Sequence, residues 1–98
     1  MLTRSQQIED IDELRPYVSM IICEYHDLAP EAFPMTERIL LRGGQPCGIT
    51  FCIHGPRATK FMAIWDAHKN QILFYGCDGE RFQKTELLGA PERESIAV

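Results

Sequence analysis

The stretch GITFCIHGPRATKFMAIW, residues 48–65, decides the fold. Apolar side chains recur with period two on both sides of a Gly-Pro break, the pattern of two strands joined by a turn. Successive side chains of a strand point to opposite faces. Ile49, Phe51 and Ile53 therefore share one face, and Thr50, Cys52 and His54 the other. In the second half Phe61, Ala63 and Trp65 alternate with Lys60, Met62 and Ile64.

The same parity governs the two cysteines and the histidine of this region. Cys47 and Cys52 fall on opposite faces, roughly 16 Å apart at ~3.3 Å per residue. Metal ligands must lie about 2 Å from a common centre, and disulfide partners need close Cα atoms. Cys52 and His54 share a face, but their spacing is not that of a zinc motif. No metal site and no cofactor are expected.

Working outward, period two continues. It predicts strands at about 36–42, 48–54, 58–65, 71–76 and 80–85, separated by RGGQP, GPR, DAHKN and CDGE, all turn chemistry. Connections this short favour antiparallel neighbours, since a parallel crossover needs a dozen or more residues. Pairing His54 with Ala58 and Trp65 with Ile72 gathers Ile49, Phe51, Ile53, Phe61, Ala63, Trp65, Ile72 and Phe74 on one face. The second face gathers Thr50, Cys52, His54, Lys60, Met62, Ile64, Leu73 and Tyr75. A two-residue turn at Asp78-Gly79 adds Phe82 to that second face, beside Tyr75.

Upstream the period changes. Leu14, Val18, Ile21, Ile22, Tyr25 and Leu28 form a helical stripe. Asp12 is placed to cap the helix and Glu13 to meet its positive end. Pro16 is tolerable only near the start, and Pro30 and Pro34 end the pattern. The predicted fold is α+β, with one N-terminal helix at about 12–28 packed on an antiparallel four- to five-stranded meander at about 36–85. Residues 1–98 read as a single domain, with 1–10 and 89–98 mobile.

Composition agrees. The chain has 98 residues, 45% hydrophobic and 24% charged, enough for one core and too few for two. No apolar run approaches the ~20 residues of a membrane span. The N-terminus has no apolar stretch of signal-peptide length. The expectation is a cytoplasmic protein with no membrane association and four reduced cysteines. Charge is uneven: residues 1–31 carry seven acids and two bases, and residues 32–84 four acids and seven bases. The net charge of −4 counts against nucleic acid as a partner, because non-specific affinity for it rests on cationic surface.

Three functions fit these features. The leading one is a small soluble, non-enzymatic interaction or regulatory module. Its partner face is Cys52, Lys60, Met62, Ile64, Leu73 and Tyr75, and it forms a homodimer, with another protein as a possible partner. A helix covers only one side of the sheet, and apolar side chains on the other need a cover. The second is a thiol enzyme or redox sensor at the 54–57 and 76–81 turns, with Cys77 as nucleophile beside His54 and Asp78. The third is an anion site, for a phosphate-bearing ligand or nucleic acid, in the basic segment 54–60, with His54, Arg57 and Arg81. Cys23 and His26, spaced i, i+3 on the helix, lack further ligands nearby. No phosphate-loop, dinucleotide, zinc-protease or nucleophile-elbow motif occurs. The helix-then-strands layout recurs among unrelated folds and carries no function by itself.

Overall fold

The computed structural model describes residues 2–29 and 31–89. The C-terminal stretch expected to be mobile falls, from residue 90 onward, outside the described residues. In chain order the elements are β1 (Leu2–Gln6), α1 (Ile11–His26), β2 (Met35–Arg42), β3 (Gln45–His54), β4 (Lys60–Asp66), β5 (Gln71–Tyr75) and β6 (Arg81–Leu87). A short 3₁₀ turn, Pro56–Ala58, joins β3 to β4.

The helix begins earlier than the Asp12 reading. Asp10 is the N-cap, with extended backbone, and its Oδ1 accepts the Glu13 N–H at 2.9 Å. The Glu13 carboxylate in turn accepts the Glu9 N–H at 3.2 Å. The Asp10 side chain thus satisfies one orphan amide of the first turn, and Glu13 ties down the residue before the cap. Pro16 therefore sits inside the helix. The helix stops at Asp27, whose left-handed backbone (φ 58°) lets its N–H bond to the Cys23 carbonyl. The Leu28 N–H takes the same acceptor at 2.9 Å.

The α+β class holds, but the sheet is larger than the expected four- to five-stranded antiparallel meander. It has six strands in the order β1-β6-β5-β4-β3-β2. β2 to β6 do run as an antiparallel meander, whereas β1 lies parallel to β6. The orientation is therefore mixed. Residues 2–6, read as loose, form this first strand. All five of its side chains are exposed, so it offers no apolar alternation to read. Its place is fixed by the backbone ladder to β6, and Leu88 N–H bonds to the Gln6 carbonyl at 2.9 Å beyond it. Ile8, just after the strand, is 2% exposed and joins the core.

The expected faces of the central strands are largely kept. Trp65 pairs with Ile72. His54 pairs with Lys60 instead of Ala58, two residues further on, so parity is unchanged. The longer loop follows from Arg57 and Ala58, both with positive φ, which carry the chain through a wider turn. Ile49, Phe51, Ile53, Phe61, Ala63, Trp65, Ile72 and Phe74 are all buried, in one cluster with Leu14, Val18, Ile21 and Ile22 of α1.

Phe82 is the exception. It was expected beside Tyr75 on the second face, yet it lies on the helix side, 8% exposed. The register shifts between Phe74 and Tyr75: Phe74 pairs with Gln83, but Tyr75 with Arg81, so Phe82 is the extra residue of a β-bulge. Its ring stacks on Tyr25 at 3.9 Å between centroids and meets His26 at 4.9 Å and Phe74 at 5.9 Å. Burying an aromatic ring among three others outweighs one irregular step in the ladder. Arg81 takes the vacated place, donating an Nη2 hydrogen bond to the Tyr75 hydroxyl at 3.1 Å.

Gln83 and Thr85, also on the helix side, are buried polar residues. Gln83 Nε2 donates to Thr85 Oγ1 at 3.0 Å, and Thr85 Oγ1 meets the Tyr17 hydroxyl at 3.0 Å. The three groups satisfy one another where water is excluded.

Candidate functional site: the open face of the sheet

All of α1 lies on one side of the sheet. Among the described residues no element lies over the other side. The meander lines that side with Thr50 and Cys52 of β3, Met62 and Ile64 of β4, and Leu73 and Tyr75 of β5. Cross-strand pairs join Thr50 to Ile64, Cys52 to Met62, Ile64 to Leu73 and Met62 to Tyr75. Met62 is 37% exposed, while Ile64, Leu73, Tyr75 and Cys52 are half-buried, shielded only by their neighbours. The result is a continuous apolar centre on a surface otherwise open to water.

Charge is sorted along the strands. At the end bearing the 55–59 and 76–80 turns lie Lys60 and Arg81. At the opposite end lie Asp66, paired with Gly48 and Gln71, and Glu86, paired with Gln71. Arg38 and Lys84 flank the middle, opposite Thr50 and Leu73. Lys84 reaches Glu86 at 3.4 Å. A cavity of about 450 Å³ on this face is lined by Thr36, Cys52, His54 and Met62 among others. His54 Nε2 lies 3.1 Å from Thr36 Oγ1 on the edge strand β2.

The second group of candidates is divided. Cys77, Asp78 and Arg81 line a separate cavity of about 500 Å³ with Tyr25, His26 and Phe82. His54 and Arg57 are not among its walls. The imidazole that shares a cavity with Cys77 is thus His26, not His54. Cys77 is exposed, and Asp78 Oδ1 accepts the Glu80 N–H at 2.9 Å, closing the turn. Cys23 is buried and lines a different groove, so Cys23 and His26 do not share a site. Among the described residues no three His, Cys, Asp or Glu side chains are grouped to hold a metal. All four cysteines are unbonded.

The sequence offers His26 only as a ligand beside Cys23, because its actual surroundings are assembled from three elements. Its ring lies 4.2 Å from that of Phe61 and 5.0 Å from that of Tyr25, with Phe82 on a third side. Nε2 is buried and has no hydrogen-bond partner among the described residues. Burial lowers its pKa below the ordinary 6.5, and the Asp78 carboxylate partly opposes this. Cys77, Glu80 and Arg81 are the other ionisable groups around the cavity, with the Tyr25 hydroxyl.

A pH dependence follows. The unfolded chain binds a proton at His26 more readily than the folded one, so stability is complete above pH about 6.5 and falls as pH drops below it. Urea titrations between pH 8 and 5 should show the wild type losing more stability than His26→Phe. Parallel curves would remove His26 as the cause.

No family model, curated protein or solved structure matches the chain.

Proposed function

We propose that the chain is a non-enzymatic interaction module that pairs with a second copy of itself through the open face of the sheet. The observation that carries this reading is the sorted charge around the apolar centre. Lys60 and Arg81 stand at one end of the strands, and Asp66 and Glu86 at the other. A twofold axis lying between two such sheets, perpendicular to the strands, sets the basic end of each copy over the acidic end of the other. Met62, Ile64, Leu73 and Tyr75 then meet their counterparts in the middle. An apolar centre within a polar, charge-matched rim is the usual anatomy of an interface. Each large apolar side chain taken fully out of water contributes about 1.5–3 kcal/mol, and half-buried ones a share of that. Twofold pairing is the commonest closed assembly.

Sedimentation equilibrium at micromolar concentration tests the reading. The wild type should give a dimer mass. Ile64→Asp or Leu73→Asp should give a monomer or an insoluble chain, because the interface would bury an unpaired charge. Lys60→Glu and Arg81→Glu should each weaken the dimer, and adding Glu86→Lys to Arg81→Glu should restore it, because the twofold sets the Arg81 end of one β6 over the Glu86 end of the other. Glu24→Lys, on the helix, should leave the dimer intact. A monomer mass for the folded wild type ends the proposal.

A further inference from the structure

A groove of about 660 Å³ runs along the flank of α1, remote from the open sheet face. Its floor is apolar: Pro16, Met20, Cys23 and Leu28, with Met35 at the start of β2. Met20 is 46% exposed in the middle of the helix. Two methionines give such a floor an adaptable shape, since the unbranched thioether chain repacks readily.

The rim is acidic. Glu24, Asp27 and Glu31 border the groove, and among the described residues none of them forms an ion pair. Arg15, the one cation at the groove, is already engaged. Its Nη1 lies 2.8 Å from Asp12 and its Nε 2.7 Å from Glu37. The rim's negative charge is thus uncompensated, and an occupant that supplies cations gains there what a neutral one does not.

We infer that this groove docks a basic amphipathic helix of another protein. Pro16, Met20, Cys23 and Asp27 recur at i, i+4, i+7 and i+11, a line about 16 Å long at ~1.5 Å per residue. That length accepts about three turns of a helix laid beside α1, the helix-in-groove mode of recognition. Only Met35 of β2 borders the groove, so the partner follows α1 and not the sheet edge. A second copy does not fit. Among the described residues α1 is the one α-helix, and it carries Asp12, Glu13 and Glu24 against a single arginine, Arg15, and no lysine, while residues 90–98 hold two acids and one base.

The test uses a fluorescein-labelled helical peptide of ~14 residues, built from leucine on one face and lysine on the other. A scrambled peptide of the same composition and a leucine–glutamate version are the controls. Fluorescence anisotropy with the full chain should show micromolar binding of the amphipathic basic peptide alone, weakened by salt. The triple variant Glu24→Lys, Asp27→Lys, Glu31→Lys should lose affinity by about tenfold or more. Met20→Asp, at an exposed position that does not threaten folding, should abolish binding, while Lys60→Glu on the open face should leave it unchanged. Equal binding of the scrambled peptide, no binding of the basic one, or indifference to the rim variants would overturn the inference.

Discussion

Trp65→Ala should lower the unfolding free energy by about 3–5 kcal/mol, the usual cost of emptying a fully buried aromatic site. Trp65 is 0% exposed and lies in the same core cluster as Ile49, Phe51 and Phe74. Domains of this size have about 5–15 kcal/mol in all, so the variant stands near the limit of folding. The revealing companion is Trp65→Phe. The indole Nε1 is buried and has no hydrogen-bond partner among the described residues. A buried unpaired donor costs about 1–3 kcal/mol, and phenylalanine removes it while keeping most of the ring. That relief should offset much of the lost volume, so Trp65→Phe should come within about 1 kcal/mol of wild type. Trp65 is the only tryptophan, so both variants must be followed by circular dichroism in urea, not by fluorescence. If phenylalanine costs as much as alanine, the buried indole N–H carries no penalty.

Gly48→Ala is the second large effect. Gly48 lies in the interior of the sheet, between Leu40 of β2 and Asp66 of β4. A Cβ there would press into the Trp65 carbonyl oxygen, and would lie 3.2 Å from the carbonyl carbon and 3.6 Å from Asp66 Cα. These are backbone atoms of a paired strand, so no flexible side chain can swing aside. Relief requires β3 and β4 to separate where Ile49 faces Trp65 and where Ala67 N–H bonds to the Cys47 carbonyl at 3.0 Å. Overpacking of this kind costs on the order of 1–3 kcal/mol, or about 4–8 °C of melting temperature per kcal/mol in a domain of this size. Differential scanning calorimetry gives the answer directly. A melting temperature within a degree of wild type would show that the two strands have slack there.

The central strands were legible because their side chains obey period two and one of their faces is uniformly apolar. That held even where the pairing was misjudged, since moving the partner of His54 from Ala58 to Lys60 left parity intact. Phe82 was misplaced because a bulge breaks parity, and no local residue signals one. Part of the attraction comes from Tyr25 and His26, which are more than fifty residues away in sequence. β1 was illegible for the opposite reason: Leu2, Thr3, Arg4, Ser5 and Gln6 are all exposed, and a strand held by backbone alone leaves no hydrophobic trace. Asp10 was within reach, three residues before Glu13, but Asp12 drew the reading by standing nearer the apolar stripe. The open face emerged from counting: two apolar parities and one helix. The groove along α1 did not, since Met20 and Met35 meet only when the chain folds back.

The parallel pairing of β1 with β6 sets the order in which this molecule can assemble. Leu2 lies opposite Gln83, a separation of 81 residues. Every other strand pair is a hairpin that can close as soon as its second arm exists. Of the six strands of this sheet, the earliest made is thus the last placed. At ~5–20 residues per second, synthesis alone keeps β1 waiting roughly 4–16 s for its partner. Its closure then spans nearly the whole chain, the kind of non-local contact that slows folding most. During that wait its polar residues serve a purpose that the folded state conceals. An apolar segment like β3 is prone to join a wrong edge while it waits, and the polar TRSQ is not.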